Sequence, residues 1–317
     1  VHHLSTKDRR IKAIDELIQI TLKQLMRLKH DAHGFSFLSN QPLKSKLMGR
    51  KRSTIRGRGL DFSELRDYRP GDDIRNVDWR VTNRMGKPYV RLYCEEKDRP
   101  VMIIVDQRSN MHFGSQWKMK SVLAAELSAL IAWKALDEGD RVGFIILSDQ
   151  RYIECEPTRS HTKFQQYLAL IVKFNQIINS NSAQTNKPIS MAGLLKKAEK
   201  FITHDYLLIV ISDFIDPQAS IIPSLAKLTQ HNDIIACYVY DQLEHDIRPL
   251  ENLVLGDGEY QLQLSANKKG LTEKFNHYTE QKLSNMQTTF AKHNIPLLSF
   301  STEFNVAGQV RKHLGAA

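Results

Sequence analysis

Two short apolar runs in this chain end in a carboxylate: Val101–Val105 runs into Asp106, and Tyr206–Ser212 into Asp213. Runs of that length and composition predict strands buried on both faces. An acid at the carboxyl end of such a strand stands where open α/β sheets keep their working crevice. A further gathering of charge lies in Arg66, Arg69, Asp72, Asp73 and Arg75. Carboxylates can hold a catalytic metal, so Asp106 and Asp213, with Asp72 or Asp73, leave a metal-dependent hydrolase as one reading. Other enzyme equipment is missing. There is no Gly-x-x-x-x-Gly-Lys-Ser/Thr loop, no His-Glu-x-x-His and no Gly-x-Ser-x-Gly, hence no phosphate cradle, zinc helix or nucleophile elbow of those kinds. The segment Arg56–Leu60 (RGRGL) follows no apolar strand, and the 12 histidines do not cluster at ligand spacing. The expectation is a protein that binds and does not catalyse.

Periodicity predicts the elements that position these residues. Ile11, Ile14, Ile18, Leu22 and Leu25 recur at helical spacing across Arg9–Lys29, which predicts an amphipathic helix. His30–Arg58 reads as loop. In Lys87–Glu95, Val90, Leu92 and Cys94 alternate with Tyr89, Arg91 and Tyr93, a strand with one face buried. Pro70 and Gly71 make Arg69–Asp72 a type II turn, with Trp79 as the apolar anchor of the small subdomain around it. Beyond Arg99, strands are expected at Val101–Asp106, Arg141–Ser148, Arg151–Glu154, Tyr206–Ser212, Ile234–Tyr240 and Pro296–Ser299. Helices are expected near Trp117–Asp137, Lys163–Ile178, Met191–Phe201, Ser220–Gln230, Leu271–Lys292 and Glu303–Leu314. Such alternation predicts right-handed crossovers and a mainly parallel sheet flanked by helices. The chain divides into an N-terminal helix (1–34), a basic loop with a small β-containing subdomain (35–99), and the α/β domain (100–317).

Composition narrows the class of partner. The net charge is +10, and Lys44, Lys46, Arg50, Lys51, Arg52, Arg56 and Arg58 form a run without acids. No aromatic residue interleaves that run, so a stacking platform is absent. Nucleic acid binding there would be electrostatic and blind to sequence, with constants of about 10⁻⁴–10⁻⁶ M. The 3 cysteines are far apart, which suits a reducing compartment. No apolar run approaches the roughly 20 residues of a membrane span, and Val1–Arg10 lacks the apolar core of a secretory signal. The expected location is the cytoplasm.

The most specific stretch is Gly59–Trp79, GLDFSELRDYRPGDDIRNVDW, followed by Tyr89-Val90-Arg91, Glu95-Glu96, Asp140–Gly143 and Ser212-Asp213-Phe214. Together these resemble the signature of a large bacterial family of uncharacterised proteins, the domain of unknown function numbered fifty-eight, over roughly Phe35–Phe300. The resemblance implies a von Willebrand factor A-like α/β domain. It also implies a protein–protein accessory role beside a MoxR-type AAA+ ATPase or that ATPase's client. Domains of that type often carry a metal-ion-dependent adhesion site built from Asp-x-Ser-x-Ser, a distant Thr and a distant Asp. On this chain the set becomes Asp106, Arg108, Asn110, Ser190 and Asp213. Asn110 keeps a carbonyl oxygen, but a guanidinium has no acceptor to offer Mg²⁺. The resemblance therefore implies a degenerate site without a cofactor, in which Arg108 pairs with Asp106 or Asp213 in place of the cation. Changing Arg108 and Asn110 to serine should then restore metal binding. The expected contact surfaces are the strand-end crevice with Arg108 and Ser109, and the turn carrying Arg66, Arg69, Asp72, Asp73 and Arg75.

Overall fold

The computed structural model describes residues 17–33, 35, 60–95, 99–178, 188–216, 218–245, 252–256, 261–265 and 269–315. It divides into two compact units, Val1–Asn40 with Arg99–Ala317, and Gln41–Asp98. The basic run Lys44–Arg58 lies outside the described residues, as does the first part of the expected Arg9–Lys29 helix. What is described of that helix is broken. Thr21 is extended and caps a new helix, α1 (Leu22–Arg27), through a reciprocal capping box with Gln24. Thr-x-x-Gln supplies the partners that the first N–H groups of a helix lack, and that local gain outweighs continuous periodicity. Leu22 consequently turns to solvent, while Ile20, Leu25, Ala32 and Phe35 are buried.

The small unit pairs β1 (Leu60–Asp67) with β2 (Tyr89–Glu95) in antiparallel register, Arg66 opposite Val90, with a bulge at Phe62/Glu64. Between them lies α2 (Trp79–Met85), capped by Asp78 and ended by Gly86 in the left-handed region. The turn is as expected: the Asp72 N–H donates to Arg69 O at 3.0 Å, and Gly71 has φ 104°. Arg66 donates to Asp72 at 2.7 Å, and Arg91 to Asp78 at 2.8 Å. Trp79 corrects the expectation of an apolar anchor. It is 61% exposed, and Val77 and Val90 are buried instead. Asp78 caps α2 by accepting from Arg80 N and Val81 N, so Trp79 opens the helix as its first residue.

The large unit is a six-stranded sheet in the order β10-β7-β6-β3-β4-β5. Its strands are β3 (Pro100–Asp106), β4 (Arg141–Leu147), β5 (Tyr152–Thr158), β6 (Leu207–Ser212), β7 (Asp233–Tyr240) and β10 (Leu297–Ser301). All pairs are parallel except β4–β5 at one edge. This is the doubly wound order with its switch point between β3 and β6. The helices α3 (Lys120–Asp137), α4 (His161–Ile178), α5 (Met191–Ala198), α6 (Gln218–Leu228), α7 (Lys269–Lys292) and α8 (Val306–Leu314) complete it. Met102 and Ile104 of β3 pack into one core with α5, α6 and α7. α3 is buried along nearly its whole length, with Lys120, Glu126 and Lys134 each held in an ion pair. It starts later than its periodicity suggests, leaving Trp117 in a loop. A hairpin of β8 (Asn252–Gly256) and β9 (Gln261–Ser265) was not expected. Gly143 sits at the β4 bulge, where a Cβ would meet Cys155 O at 2.6 Å, so only glycine lets β5 close in. No helix among the described residues is long and apolar enough to cross a membrane.

The N-terminal segment is part of this unit. Trp133 Nε1 donates to Leu25 O at 3.0 Å, Ile20 N to Asn175 Oδ1 at 3.0 Å, and Met119 N to Leu17 O at 3.1 Å. Leu25→Ala should therefore cost about 2–5 kcal/mol, the range for a buried leucine, measured by urea denaturation. An unchanged midpoint would mean that the segment is a detachable tail.

Candidate functional site at the carboxyl edge of the sheet

Asp106 ends β3 with no exposure to solvent. Such a carboxylate must be paired where it lies. Its Oδ1 accepts from Arg108 Nε at 2.9 Å and from the Arg108 backbone N–H at 3.1 Å. Its Oδ2 accepts from Arg108 Nη2 at 2.7 Å and from the Ser212 hydroxyl at 2.6 Å. The fork is bidentate, the geometry that suits guanidinium to carboxylate. Arg108 Nη1 reaches on to Asp216 Oδ2 at 2.8 Å and to Ile189 O at 3.3 Å. Burial pushes the Asp106 carboxyl up, and the hydrogen bonds and charge of Arg108 oppose that. Burial alone would lower the Arg108 pKa, yet Asp106 and Asp216 raise it above its ordinary value.

Asp213, beyond the end of β6, is held by a second cation. Lys120, the first residue of α3, is 1% exposed and donates Nζ to Asp213 Oδ2 at 2.8 Å and to Glu244 Oε1 at 2.6 Å. The other Asp213 oxygen accepts from Asn110 Nδ2 at 2.8 Å and from Ile215 N at 3.2 Å. Burial by itself would lower the Lys120 pKa, but Asp213 and Glu244 raise it. The lattice continues along the edge. Glu244 Oε2 accepts from Asp241 N, and buried Asp241 accepts from Ser115 N at 2.9 Å and Thr302 Oγ1 at 2.6 Å. On the β4 side, Ser109 donates its N–H and its hydroxyl to Asp149.

The structure thus brings Asp106, Arg108, Asn110 and Asp213 together, with Ser109 on their rim. Ser190 is not brought to the acids. Its hydroxyl caps α5 by accepting from Gly193 N at 3.1 Å, and its neighbour Ile189 reaches Arg108 through a backbone carbonyl. Arg66, Arg69, Asp72, Asp73 and Arg75 belong to the small unit. There Asp72 ties Arg66 to the backbone of Arg69, and Asp73 accepts from Arg75 N. Lys120, Asp149, Asp216, Asp241, Glu244 and Thr302 were not singled out from sequence. A lysine at the start of a largely apolar helix, followed directly by Ser121-Val122-Leu123-Ala124-Ala125, could have pointed to Lys120. The Asp241-x-x-Glu244 capping box, directly after a strand, could have pointed to that pair.

These residues do not fit a divalent ion. Mg²⁺ needs open oxygens in near-octahedral array, whereas both Asp106 oxygens face Arg108 and the Asp213 oxygens are shared between Asn110 and Lys120. The second cation bears on the expectation that Arg108→Ser with Asn110→Ser restores a metal, because Lys120 would still hold Asp213.

A family model described as "Protein of unknown function DUF58" matches residues 64–284. An uncharacterized protein of Mycobacterium tuberculosis is 26% identical over 223 residues, covering 69% of this chain and 67% of that protein. An uncharacterized protein of Mycobacterium bovis matches to the same extent. Among solved structures, BatB from Bacteroides thetaiotaomicron is similar at 13% identity and TM-score 0.40, covering 67% of this chain and 93% of that one. The SpRpn10 VWA domain is similar at 11% identity and TM-score 0.40, covering 70% and 98%.

Two outcomes are expected. Millimolar Mg²⁺ should leave the melting temperature unchanged in the wild type and in Arg108→Ser/Asn110→Ser. Adding Lys120→Ala should create an EDTA-reversible rise, since ligand at about 100 times its dissociation constant stabilises by about 2.7 kcal/mol. A rise in the wild type would overturn the fit argument. Separately, Lys120→Met strands two carboxylates and should cost about 3–5 kcal/mol near neutral pH. Lys120 binds its proton more tightly folded than unfolded, so its contribution is complete below the unfolded value of about 10.4 and fades as pH rises through the higher folded value. Urea midpoints of wild type and variant should therefore converge only above about pH 10.5; convergence nearer neutrality would show that the pair is not charged.

Proposed function

The chain belongs to the family described as "Protein of unknown function DUF58", and from that membership we propose that it is a non-enzymatic protein-interaction module of the cytoplasm. Its partner is an AAA+ ATPase of MoxR type or a client of that ATPase; the family resemblance supplies this assignment. One observation carries the interaction reading. The loops beyond β3, β6 and β10 hold Trp117, Ile215 and Phe304 at 49%, 56% and 59% exposure. Each lies within three residues of a member of the ion-pair lattice: Trp117 near Lys120, Ile215 on Asp213, and Phe304 near Thr302. Large apolar groups rimmed by polar ones are what interaction sites expose, and aromatic anchors supply most of the affinity at such sites. The lattice supports the non-enzymatic half of the reading. A general base or nucleophile needs a partner it can exchange protons with, whereas Asp106 and Asp213 are each locked to a fixed cation. The surface would then be presented constitutively, without a metal to complete it.

The test is co-purification with a co-expressed MoxR-type ATPase. Trp117→Asp with Ile215→Asp should reduce recovery roughly tenfold, while circular dichroism and melting temperature stay those of the wild type. Undiminished recovery would place the contact elsewhere. Phosphoester or nucleotide hydrolysis by the purified protein, abolished by Asp106→Asn, would overturn the non-enzymatic reading.

A further inference from the structure

We propose a second binding site at the opposite, amino-terminal edge of the sheet: a lysine-rimmed cleft that takes an acidic segment of a partner protein. α5 and α6 both end at this edge, and the turns after them lead into β6 and β7. A cleft of about 600 Å³ opens between those ends. Its rim carries Lys196, Lys197, Lys200, Lys227 and His231, with Glu199 as the lone acid. Glu199 is already engaged by Lys227, and Lys197 lies over the Tyr152 ring at 5.2 Å. Lys196 and Lys200 are exposed and have no carboxylate partner among the described residues. Lys196 stands in the last turn of α5 and Lys200 in the turn that follows it, and both line the cleft.

The floor is rigid and partly apolar. Ile202 and Leu228 are buried. Asn232 is spent on the fold, donating to Leu228 O at 3.1 Å and Thr203 O at 3.3 Å and accepting from Tyr206 N at 3.0 Å. The two turns are stitched together by Asp205 N donating to His231 O at 2.9 Å. Offsetting the partial negative charge at two helix ends takes about one cation each. Four lysines around one cleft exceed that need, and their mutual repulsion is relieved by an anion.

The chemistry of the rim selects the anion. No Phe, Tyr, Trp or Arg lines the cleft, so it has neither a stacking surface for bases nor a guanidinium fork for phosphate. Helix carboxyl ends meet there, and no helix N-terminus offers N–H groups to a concentrated charge. Separate ammonium groups on flexible stems suit separate carboxylates along an extended chain, and the apolar lysine stems suit apolar side chains between them. The cleft is at the far edge from Asp106 and Asp213, so it shares with the proposed function only the premise that the chain works by binding protein.

The experiment titrates the full chain into a dye-labelled peptide in which short runs of glutamate alternate with single leucines, read by fluorescence anisotropy. Saturable binding is expected. Lys196→Glu with Lys200→Glu should weaken it at least roughly tenfold, Lys196→Gln with Lys200→Gln less, and Trp117→Asp with Ile215→Asp not at all. Circular dichroism should give wild-type spectra for all three variants. A single-stranded oligonucleotide and inorganic polyphosphate serve as competitors and should bind more weakly than the peptide. The proposal is overturned by a wild type that does not bind the peptide, by peptide affinity unchanged in the glutamate variant, or by either competitor binding more tightly through the same lysines. Because recovery of the ATPase is read on the carboxyl-edge variant, failure of one surface leaves the other standing.

Discussion

An ionised carboxylate withdrawn from water costs several kcal/mol unless a counter-charge in good geometry meets it. Asp106 is fully buried at the end of β3, in the strand beside which the sheet changes winding direction. The neighbouring loops are organised around meeting that requirement. Arg108 turns back on its own strand to fork the carboxylate, then reaches across to Asp216 and the Ile189 carbonyl. Asp216 in turn receives the first N–H of α5. The entry to α5, the loop after β6 and the loop after β3 are thus fixed by one guanidinium. A lysine in its place could not make the fork, because an ammonium is a point charge without a planar pair of donors.

Lys120 performs the equivalent task one strand over, and the pairing of the two cations gives the edge its character. Buried ion pairs are weak contributors to net stability, since an apolar replacement of similar volume often does as well. Their effect is on geometry: all four oxygens of Asp106 and Asp213 accept from named donors, and Arg108 and Lys120 each reach on to a further acid. Five strand ends are joined in this way, from Asp149 after β4 to Thr302 after β10. On the proposed reading, loops so cross-linked would leave little of the backbone around Trp117, Ile215 and Phe304 to order on binding. Less ordering is a direct gain in affinity.

β3, β4, β6 and β7 were legible because they are nearly continuous apolar runs, the pattern of strands covered on both faces. β3, β6 and β7 follow their expected limits closely. β1 was not legible, since the alternation of Leu60-Asp61-Phe62-Ser63 is too short and the bulge at Phe62/Glu64 breaks its phase before Leu65. The break at Thr21 was missed because a local capping box outweighed periodicity, and the outward turn of Trp79 because residue type alone does not fix which face of α2 it occupies. In the site, Asp106, Arg108 and Asp213 were legible from strand ends and from the family motif. Lys120 was not, because a residue 93 positions away from its partner leaves no trace in spacing. Ser190 was chosen as a hydroxyl at about the right place in the chain. The sheet geometry instead brings the carbonyl of Ile189 to the site, and any residue type could supply that.

The two surfaces have α5 in common, and that shared helix decides how they can cooperate. Its first N–H is held through Asp216 to Arg108, and its last turn carries Lys196 and Lys197. Eight residues of helix span about 12 Å, too short and too well packed to bend. Met191, Leu194, Leu195 and Ala198 are all in the core. Coupling between sites requires an element with two arrangements that both sites bias, and the described residues show this lattice and this helix in one arrangement. Contacts at the two edges would therefore add as contacts on one rigid body. A partner long enough to reach both would gain through effective concentration, with its linker length setting the gain, and a partner that reaches only one would be unaffected by the other.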